Sequence, residues 1–194
     1  ANMQLNQENT TIINKEINFL QDMISNMLLS DKLSTPYIED LDEDTIALDQ
    51  LIQNTCGMFY QLQDKLTIIN NVKQPIMLII DKYKMSLAIK NLIDNALKYG
   101  HPEKKPQLIV ELKNNSIQLM VQDFGVGIAK SKIKEIVKPL YRGRSAKIKN
   151  KTGFGLGLAI TKKIVEAHKG EMMIESGENQ GSKFIIKLPQ SLIK

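Results

Sequence analysis

The feature that most constrains the fold is a segment, residues 87–99, that carries two different stripes along one helical repeat. Its apolar positions step by three and by one, which places them on a single helix face. They are Ala88, Ile89, Leu92, Ile93, Ala96 and Leu97, and Met85 extends the same stripe just before the segment. A second stripe, Leu87, Asn91, Asn95 and Lys98, lies on another face. Two carboxamides and an ammonium group one turn apart suit a metal-bound polyphosphate, although side chains that merely face water would show the same spacing.

Composition narrows the class of protein. The 194 residues, 42% of them hydrophobic, suit one full domain with a smaller appendage. No apolar run approaches the ~20 residues of a membrane-spanning helix, and no secretory signal pattern opens the sequence. The single cysteine, Cys56, excludes an internal disulfide and is expected to be a small buried residue. Two histidines, His101 and His168, without a Cys/His cluster, argue against a zinc site.

The charge balance points to a local anionic ligand. The net charge is +5, which on its own is compatible with nucleic-acid binding. Many cations, however, crowd between Lys130 and Lys151 beside glycines, and Tyr141 is the single aromatic residue among them. We therefore expect no nucleic-acid partner.

The N-terminal part of the sequence predicts helices followed by strands. Residues 1–35 have the apolar stripe of one long helix, which has to pack on another helix or another chain. Ser34, Thr35 and Pro36 break it, and an acidic connector leads into a second helix from Ile46 through Gln61. Residues 66–70 and 76–80 read as strands, and Asp81 is placed to cap the next helix.

The remaining sequence predicts two hairpins separated by helices. Residues 108–112 and 117–121 alternate around Asn114-Asn115, and residues 172–175 and 183–188 flank a turn at 177–181. Between them lie a short helix at 131–137, a basic loop at 144–151 and a helix at 158–168 closed by Gly170. This order predicts an α+β fold with helices on one face of a mixed sheet.

The segment Asp123-Phe124-Gly125-Val126-Gly127 comes directly off a predicted strand. A carboxylate is an acceptor only, so it can hold an exocyclic amine such as that of adenine. Neighbouring glycines allow the backbone to approach a flat ring closely. A simple turn would explain the same pattern equally well.

The segment Gly153-Phe154-Gly155-Leu156-Gly157-Leu158 opens a predicted helix. Free N–H groups and the positive end of the helix dipole favour an anion there. A dinucleotide-binding motif is excluded because a basic loop rather than a strand precedes the glycines, and no G-x-x-x-x-G-K-[ST] motif occurs.

The order of these motifs is far more specific than any one of them. An Asn-x-x-x-Asn helix, D-x-G-x-G, a Tyr-Arg segment, a basic loop and G-x-G-x-G into a helix follow one another over residues 40–189. This series resembles the ATP-binding catalytic domain of sensor histidine kinases, in the superfamily of gyrase, the heat-shock chaperone ATPase and mismatch-repair ATPases. The first 35 residues are similar to the second helix of the kinase dimerisation hairpin. The resemblance implies a two-layer α/β sandwich at 36–194 preceded by an incomplete hairpin at 1–35.

The resemblance also implies roles for individual residues. Asn95 would ligate Mg²⁺, and Asp123 would bind the adenine amine of ATP with Gly125 and Gly127 against the base. Arg142 would stabilise charge on the transferred phosphoryl group. Asn91, Lys98 and Tyr99 would lie near the phosphates and ribose, and Gly153, Gly155 and Gly157 at the hinge of a lid over residues 143–152. Further nucleotide contacts would be Ile128, Tyr141, Thr152, Phe154, Leu156 and Leu158.

Asn91 separates kinases from hydrolases in this superfamily. The ATPases carry a glutamate at this position that activates water, and a carboxamide cannot act as a general base at neutral pH. Asn91 therefore favours phosphoryl transfer to a protein over hydrolysis. A conformational ATPase clamp of the same superfamily and a non-catalytic nucleotide-binding module are the alternatives.

The family's acceptor histidine has no counterpart in this sequence. Neither His101 nor His168 is followed by an acidic residue on a leading helix, so both are expected to be surface or packing residues. The resemblance implies that the chain is a fragment without its own acceptor. It also implies a response-regulator receiver domain as partner, a homodimer of the full-length protein, and a cytoplasmic location with membrane attachment only through an upstream segment.

Overall fold

The computed structural model describes residues 41–57, 65–141 and 155–194, together with Ile13, Ile17, Leu20 and Ile24. The strands in these residues are β1 (Asp44–Ala47), β2 (Thr67–Asn70), β3 (Met77–Ile80), β4 (Gln107–Lys113), β5 (Ser116–Asp123), β6 (Glu171–Ser176) and β7 (Ser182–Leu188). The helices are α1 (Leu48–Gly57), α2 (Lys82–Tyr99), α3 (Ile133–Ile136) and α4 (Gly157–Ala167). Short 3-10 turns occur at Lys130–Lys132 and Gln190–Leu192.

The main sheet has five strands in the order β2-β4-β5-β7-β6. The β2–β4 pair is parallel, and the other three neighbouring pairs are antiparallel. Strands β1 and β3 form a separate antiparallel pair. The predicted α+β class with a mixed sheet is therefore confirmed.

The core lies between one face of the sheet and the helices α2 and α4. The apolar stripe of α2 is buried as its spacing predicts, with Leu92 and Ile93 fully inaccessible to solvent. Ile160 and Ile164 of α4 are equally buried, and alternate residues of β5 and β7 complete the core from the sheet side. Full burial of each such side chain contributes about 1.5–3 kcal/mol. The polar stripe of α2 lies on a different face of the helix, away from this core.

Two local signals in the sequence are confirmed. Asn114 and Asn115 have φ values of 50° and 56°, as a tight hairpin turn requires. Asp81 caps α2, because its Oδ1 accepts the Lys84 N–H at 3.0 Å.

One prediction is wrong in detail, and the structure refines another. Ile46 lies on strand β1 rather than on the following helix, because it pairs with Leu78 of β3 and is buried there. Gly170 helps to close α4, because its N–H donates to the Val165 carbonyl at 2.9 Å. The left-handed residue at this helix end is Lys169, with a φ of 57°.

Most of the predicted helix at 1–35, and residues 58–61 of the second predicted helix, lie outside the described residues. Ile13, Ile17, Leu20 and Ile24 are helical and 46–56% exposed, on the spacing of the predicted stripe. The length of that helix and the domain boundary at residue 36 remain predictions.

Candidate functional site

Helix α2 presents Asn91 and Asn95 beside its buried stripe, so both side chains are partly accessible. They are four residues apart and therefore lie one above the other on the same face. Among the described residues, the Asn95 amide has no hydrogen-bond partner. Lys98 continues the row one turn further, with its Nζ 5.4 Å from the centre of the neighbouring Tyr99 ring. The polar row is thus held in place by the packing of the opposite helix face.

Asn91 is joined to the start of α4. Its Nδ2 donates to the Gly157 carbonyl at 3.3 Å. Because a carbonyl oxygen can only accept, this contact fixes which end of the amide is which, and the Asn91 Oδ1 points the other way as an acceptor. The Thr161 hydroxyl donates to the same carbonyl at 2.9 Å. The first turn of α4 is therefore held against the polar row of α2.

In the described part of the chain, the N-terminus of α4 has no side-chain cap. Leu156 precedes the helix without a side-chain capping bond, so the N–H groups of the first turn have no such partner. A Cβ added at Gly157 would lie 3.5 Å from Asn91 Cγ, an ordinary contact distance. The missing side chain at Gly157 consequently leaves a space between Asn91 and the helix terminus, where the helix dipole favours an anion.

Asp123 ends β5 and is buried, with 4% of its surface exposed. Its Oδ1 accepts the Gly125 N–H at 2.8 Å and the Ser182 N–H at 3.3 Å. Burial raises the pKa of the Asp123 carboxyl above its ordinary value, and the hydrogen bonds from Gly125 and Ser182 offset part of that rise. With Oδ1 engaged by the backbone, the carboxyl group has acceptor capacity left for a donor on a ligand.

The Asp123 loop is packed against the end of α2. A Cβ at Gly125 would collide with the Tyr99 carbonyl, so only glycine allows the two backbones to approach this closely. The close approach of the Tyr99 backbone is therefore enough to require glycine at position 125, with or without a nucleotide base beside it. The contact brings Asp123 and the polar row of α2 to one side of the fold.

Tyr141 and Gly155, which flank residues 142–154, also meet. Gly155 has a φ of +72°, and a Cβ there would collide with the Tyr141 carbonyl. The described chain on either side of this segment is therefore brought together next to the start of α4.

The structure brings the predicted site residues together in two groups. Asn91, Gly157 and the neighbouring Leu156 and Leu158 form one, and Asp123, Gly125 and Tyr99 form the other. Ile128 joins the second through its N–H, which donates to Ser176 Oγ at 2.8 Å. Arg142, Thr152, Gly153 and Phe154 lie outside the described residues, and the predicted roles of all these residues stay predictions.

Two polar residues that hydrogen-bond to the second group, Ser176 to Ile128 and Ser182 to Asp123, were not predicted from the sequence. Ser182 and Ser176 lie directly opposite one another, and Ser182 in turn lies opposite Asp123 in the strand register. Aligning the two hairpins by their alternating apolar residues would have revealed this row.

The family of histidine kinase-, DNA gyrase B- and HSP90-like ATPases matches residues 80–192. The match covers more than half of the chain, so the chain belongs to this family. The relatives within it are sensor kinases: Sensor protein RprX of Bacteroides fragilis (strain YCH46) is 43% identical over 56% of this chain and 21% of its own length. Sensor protein kinase WalK of Staphylococcus aureus is 31% identical over 80% of this chain and 38% of its own length. The chain is accordingly of the sensor histidine kinase type, and it spans less than half the length of these curated relatives.

A solved structure shares the fold. Full-length ShkA in complex with AMPPNP superposes with a TM-score of 0.72 at 19% identity, over 88% of this chain and 35% of that one. Among the described residues, no helix is both long enough and apolar enough to cross a membrane.

Proposed function

We propose that this chain is the ATP-binding catalytic portion of a two-component sensor histidine kinase. The reaction would move the γ-phosphoryl group of ATP to a ring nitrogen of a histidine outside this chain, and from there to an aspartate of a response regulator. The observation that carries this proposal is the position of Asn91, a carboxamide facing the open first turn of α4, where an ATPase of this family needs a carboxylate.

The described residues fit a magnesium-bound nucleotide. Asn95 offers a carboxamide oxygen that has no hydrogen-bond partner in the described part of the chain, the kind of hard ligand that Mg²⁺ accepts alongside phosphate oxygens. The uncapped terminus of α4 offers N–H donors to phosphate, and the space beside Gly157 leaves room for it. At the other end, the buried Asp123 carboxylate offers an acceptor to an exocyclic amine. When bound, Mg²⁺ would neutralise charge on the phosphates.

In this arrangement the chain's own residues mainly bind and orient. Asp123 fixes the base, and Asn91 and Asn95 fix the phosphate end through groups that carry no titratable proton. Since no carboxylate stands at residue 91, water near the phosphates would meet no general base there, and hydrolysis would be slow. Arg142 is proposed to stabilise the charge of the transferred group, as the family resemblance implies.

The two histidines of the chain are poor acceptors. His168 is 1% exposed, and both of its ring nitrogens are engaged, Nε2 with the Asp81 N–H and Nδ1 with the Ile164 carbonyl. His101 is exposed just past the end of α2 and uses Nδ1 to accept the Glu103 N–H at 3.2 Å. The acceptor is therefore proposed to lie on a helix that pairs with residues 1–35 in a homodimeric, membrane-attached full-length protein, with this portion in the cytoplasm.

The test follows the γ-phosphate. Labelled Mg-ATP would be given to this chain and to the same chain extended upstream by the paired helix. We expect label on the extended protein only, stable in base and lost in acid, as a phosphohistidine is. His101→Gln in the extended protein serves as the control and should leave labelling unchanged.

Two outcomes would contradict the proposal. Rapid release of free phosphate by both proteins without protein label would favour an ATPase. Nucleotide binding without either label or release would favour a non-catalytic binding module.

A further inference from the structure

The main sheet has an outer face, on the side opposite the core and the helices α2 and α4. Strand residues alternate between the two faces, and Leu119 and Val121 of β5 belong to the core, so Met120 between them points to the outer face. The strand pairings place one apolar residue of every other strand in line with Met120. This apolar row consists of Ile69, Ile109, Met120, Ile185 and Met173.

Polar rows border the apolar row on both sides, two residues further along each strand. The first polar row consists of Glu111, Gln118, Lys187 and Glu171. The second polar row consists of Gln107, Gln122, Lys183 and Glu175. An apolar patch with a polar rim is typical of a surface that contacts another protein.

The charges of the outer face differ from strand to strand. On this face β7 carries the two lysines and β6 carries two glutamates, whereas β5 carries only glutamines beside Met120. Glu111 of β4 and Lys187 of β7 stand in the same row, one strand to either side of β5, and both are partly exposed. Opposite charges at equal distances from a central strand make the outer face complementary to itself.

A two-fold axis parallel to β5 brings two copies of the outer face together in opposite strand order. Strand β4 of one copy then faces β7 of the other, and β5 faces β5. Glu111 of each copy meets Lys187 of the other, Ile109 meets Ile185, and Met120 meets its own equivalent at the axis. Among the residues of the three rows, no like charges face one another in this pair.

The charges disfavour the other face-to-face arrangement. A two-fold axis along the apolar row would lay β7 on β7 and β6 on β6. Lys183 would then face Lys187, and Glu171 would face Glu175, and like charges that face each other across an interface are strongly unfavourable. The outer face therefore selects the axis parallel to β5.

The dimensions of the three rows indicate a weak pair. Five strands about 4.8 Å apart and three rows about 6.6 Å apart cover about 500 Å² on each copy. The pair would bury about 1,000 Å² in total, which is typical of transient contacts. Met120 and Ile185 contribute little further apolar burial, since they are already only 7% and 5% exposed. The opposite charges therefore set the geometry of the pair.

We propose that the outer face of the main sheet pairs two copies of this chain, with Glu111 of each copy bound to Lys187 of the other. The candidate nucleotide site lies on the helix side of the sheet, so this pairing leaves it uncovered. In the homodimeric full-length protein proposed above, two catalytic portions are tethered. Tethering gives an effective concentration in the millimolar range, at which a weak contact forms.

The experiment measures association of the whole chain by analytical ultracentrifugation over a series of concentrations. We expect the wild type to associate reversibly in the micromolar to millimolar range. Glu111→Lys and Lys187→Glu should each weaken this association at least about tenfold, because both charged contacts of the pair then join like charges. Circular dichroism would show that each variant is folded.

An equimolar mixture of the two variants distinguishes this pairing from other causes. In a mixed pair, one contact joins the two reversed side chains and the other joins the two native ones, so both contacts join opposite charges. The mixture should associate as tightly as the wild type, although neither variant does so alone. A structural defect in either variant would not be repaired by mixing.

Glu166→Lys is the matched control. It makes the same change of charge at an exposed residue of α4, on the helix side of the sheet, and should leave the association unchanged. If a reversed variant does not fold, Glu111→Gln and Lys187→Gln replace the two reversals. Each removes both attractions without adding a repulsion and should weaken the association by a smaller factor, about threefold.

Three results would overturn the proposed pairing. The wild type would be a monomer at millimolar concentration, or the Glu111 and Lys187 variants would associate like the wild type, which would place the contact elsewhere. In the third case both variants would be weakened, and mixing them would restore nothing.

Discussion

Asp123 combines a cost in stability with a use in binding. Its carboxyl group is buried, and burial raises its pKa in the folded protein above the ordinary value of 3.8. The folded state therefore holds the proton more tightly than the unfolded state, and stability is lost as the pH rises through the raised pKa. Near neutral pH the buried Asp123 carboxylate is ionised and lowers the stability of the folded state, which is typical of a group that serves to bind a ligand.

We expect Asp123→Asn to separate these two effects. Its amide would meet the adenine amine with a donor, so nucleotide affinity should fall by about 2–3 kcal/mol, or roughly 30- to 150-fold. Without nucleotide, the variant should unfold at a higher temperature than the wild type at pH 7, and this gain should vanish in acid as wild-type Asp123 takes up its proton. Calorimetry and thermal unfolding across pH measure both quantities.

Asp44→Asn is the matched control. Asp44 is an exposed strand residue that pairs with Lys82 at 3.0 Å, and solvent screens such a surface ion pair, so its loss should change stability little. If Asp123→Asn bound nucleotide like the wild type, or lowered the unfolding temperature at pH 7, the dual role of Asp123 would be wrong.

Asn91 is the residue whose replacement should distinguish phosphoryl transfer from ATP hydrolysis. Replacement by glutamate would supply the missing general base, a group typically worth about 10²–10⁴ in rate. Since the new carboxylate cannot donate to the Gly157 carbonyl, part of that gain should be lost, and we expect steady-state ATP hydrolysis to rise at least about tenfold. Asn91→Gln has the same length as the glutamate without a base and should show no rise. Unchanged hydrolysis in Asn91→Glu, measured as phosphate release, would contradict the role given to Asn91.

At the scale of elements, hydrogen bonds between described residues join α2 and α4 near both ends of α4. Near the site, the Gly157 carbonyl accepts from Asn91 of α2 and Thr161 of α4. At the other end of α4, His168 Nε2 accepts the Asp81 N–H at 3.0 Å, where Asp81 caps α2. Because Nδ1 lies 2.8 Å from the Ile164 carbonyl, Nδ1 carries the proton and the ring is neutral.

This second junction should make stability depend on pH. Burial, opposed by the Ile164 hydrogen bond and by the carboxylates of Asp81 and Glu43, lowers the pKa of His168 below its ordinary value of 6.5, and Lys84 acts in the same direction as burial. Above pH 6.5 His168 is neutral in both the folded and the unfolded state, so it causes no loss of stability there. As the pH falls below that value the unfolded state takes up a proton first, and stability is lost until the folded pKa is reached.

We expect His168→Gln to flatten this part of the profile. The glutamine side chain offers one acceptor and one donor but does not titrate. The free energy of unfolding of the variant should therefore fall less than that of the wild type between pH 7 and pH 5. His101→Gln removes an exposed histidine and should leave the wild-type slope intact. Parallel profiles for wild type and His168→Gln, from urea unfolding at each pH, would show that the neutral ring is not the cause.

At the scale of the whole molecule, the sequence predicts what depends on short-range pattern. The stripe of α2, the turn at Asn114-Asn115 and the glycine-led start of α4 follow from spacings within a few residues. The junctions that build the site do not, since Asp81 and His168 are 87 residues apart and Asp123 and Ser182 are 59 apart. The prediction for Ile46 is wrong for the same reason, because its strand β1 forms only by pairing with β3.

The division of the chain can be tested by truncation. The described core begins at Ile46, so removing residues 1–35, the predicted hairpin helix, should leave the unfolding temperature and ATP affinity unchanged. Removing residues 1–64 also deletes β1 and α1, which bury Ile46, Leu48, Leu51 and Ile52 with at most 5% exposure. At about 1.5–3 kcal/mol for each side chain, this loss is comparable with the whole stability of a domain, about 5–15 kcal/mol, and the shorter protein should not fold. Circular dichroism melts and calorimetry would decide; a shorter protein that melts like the wild type, or unfolding on loss of residues 1–35 alone, would place the domain boundary elsewhere.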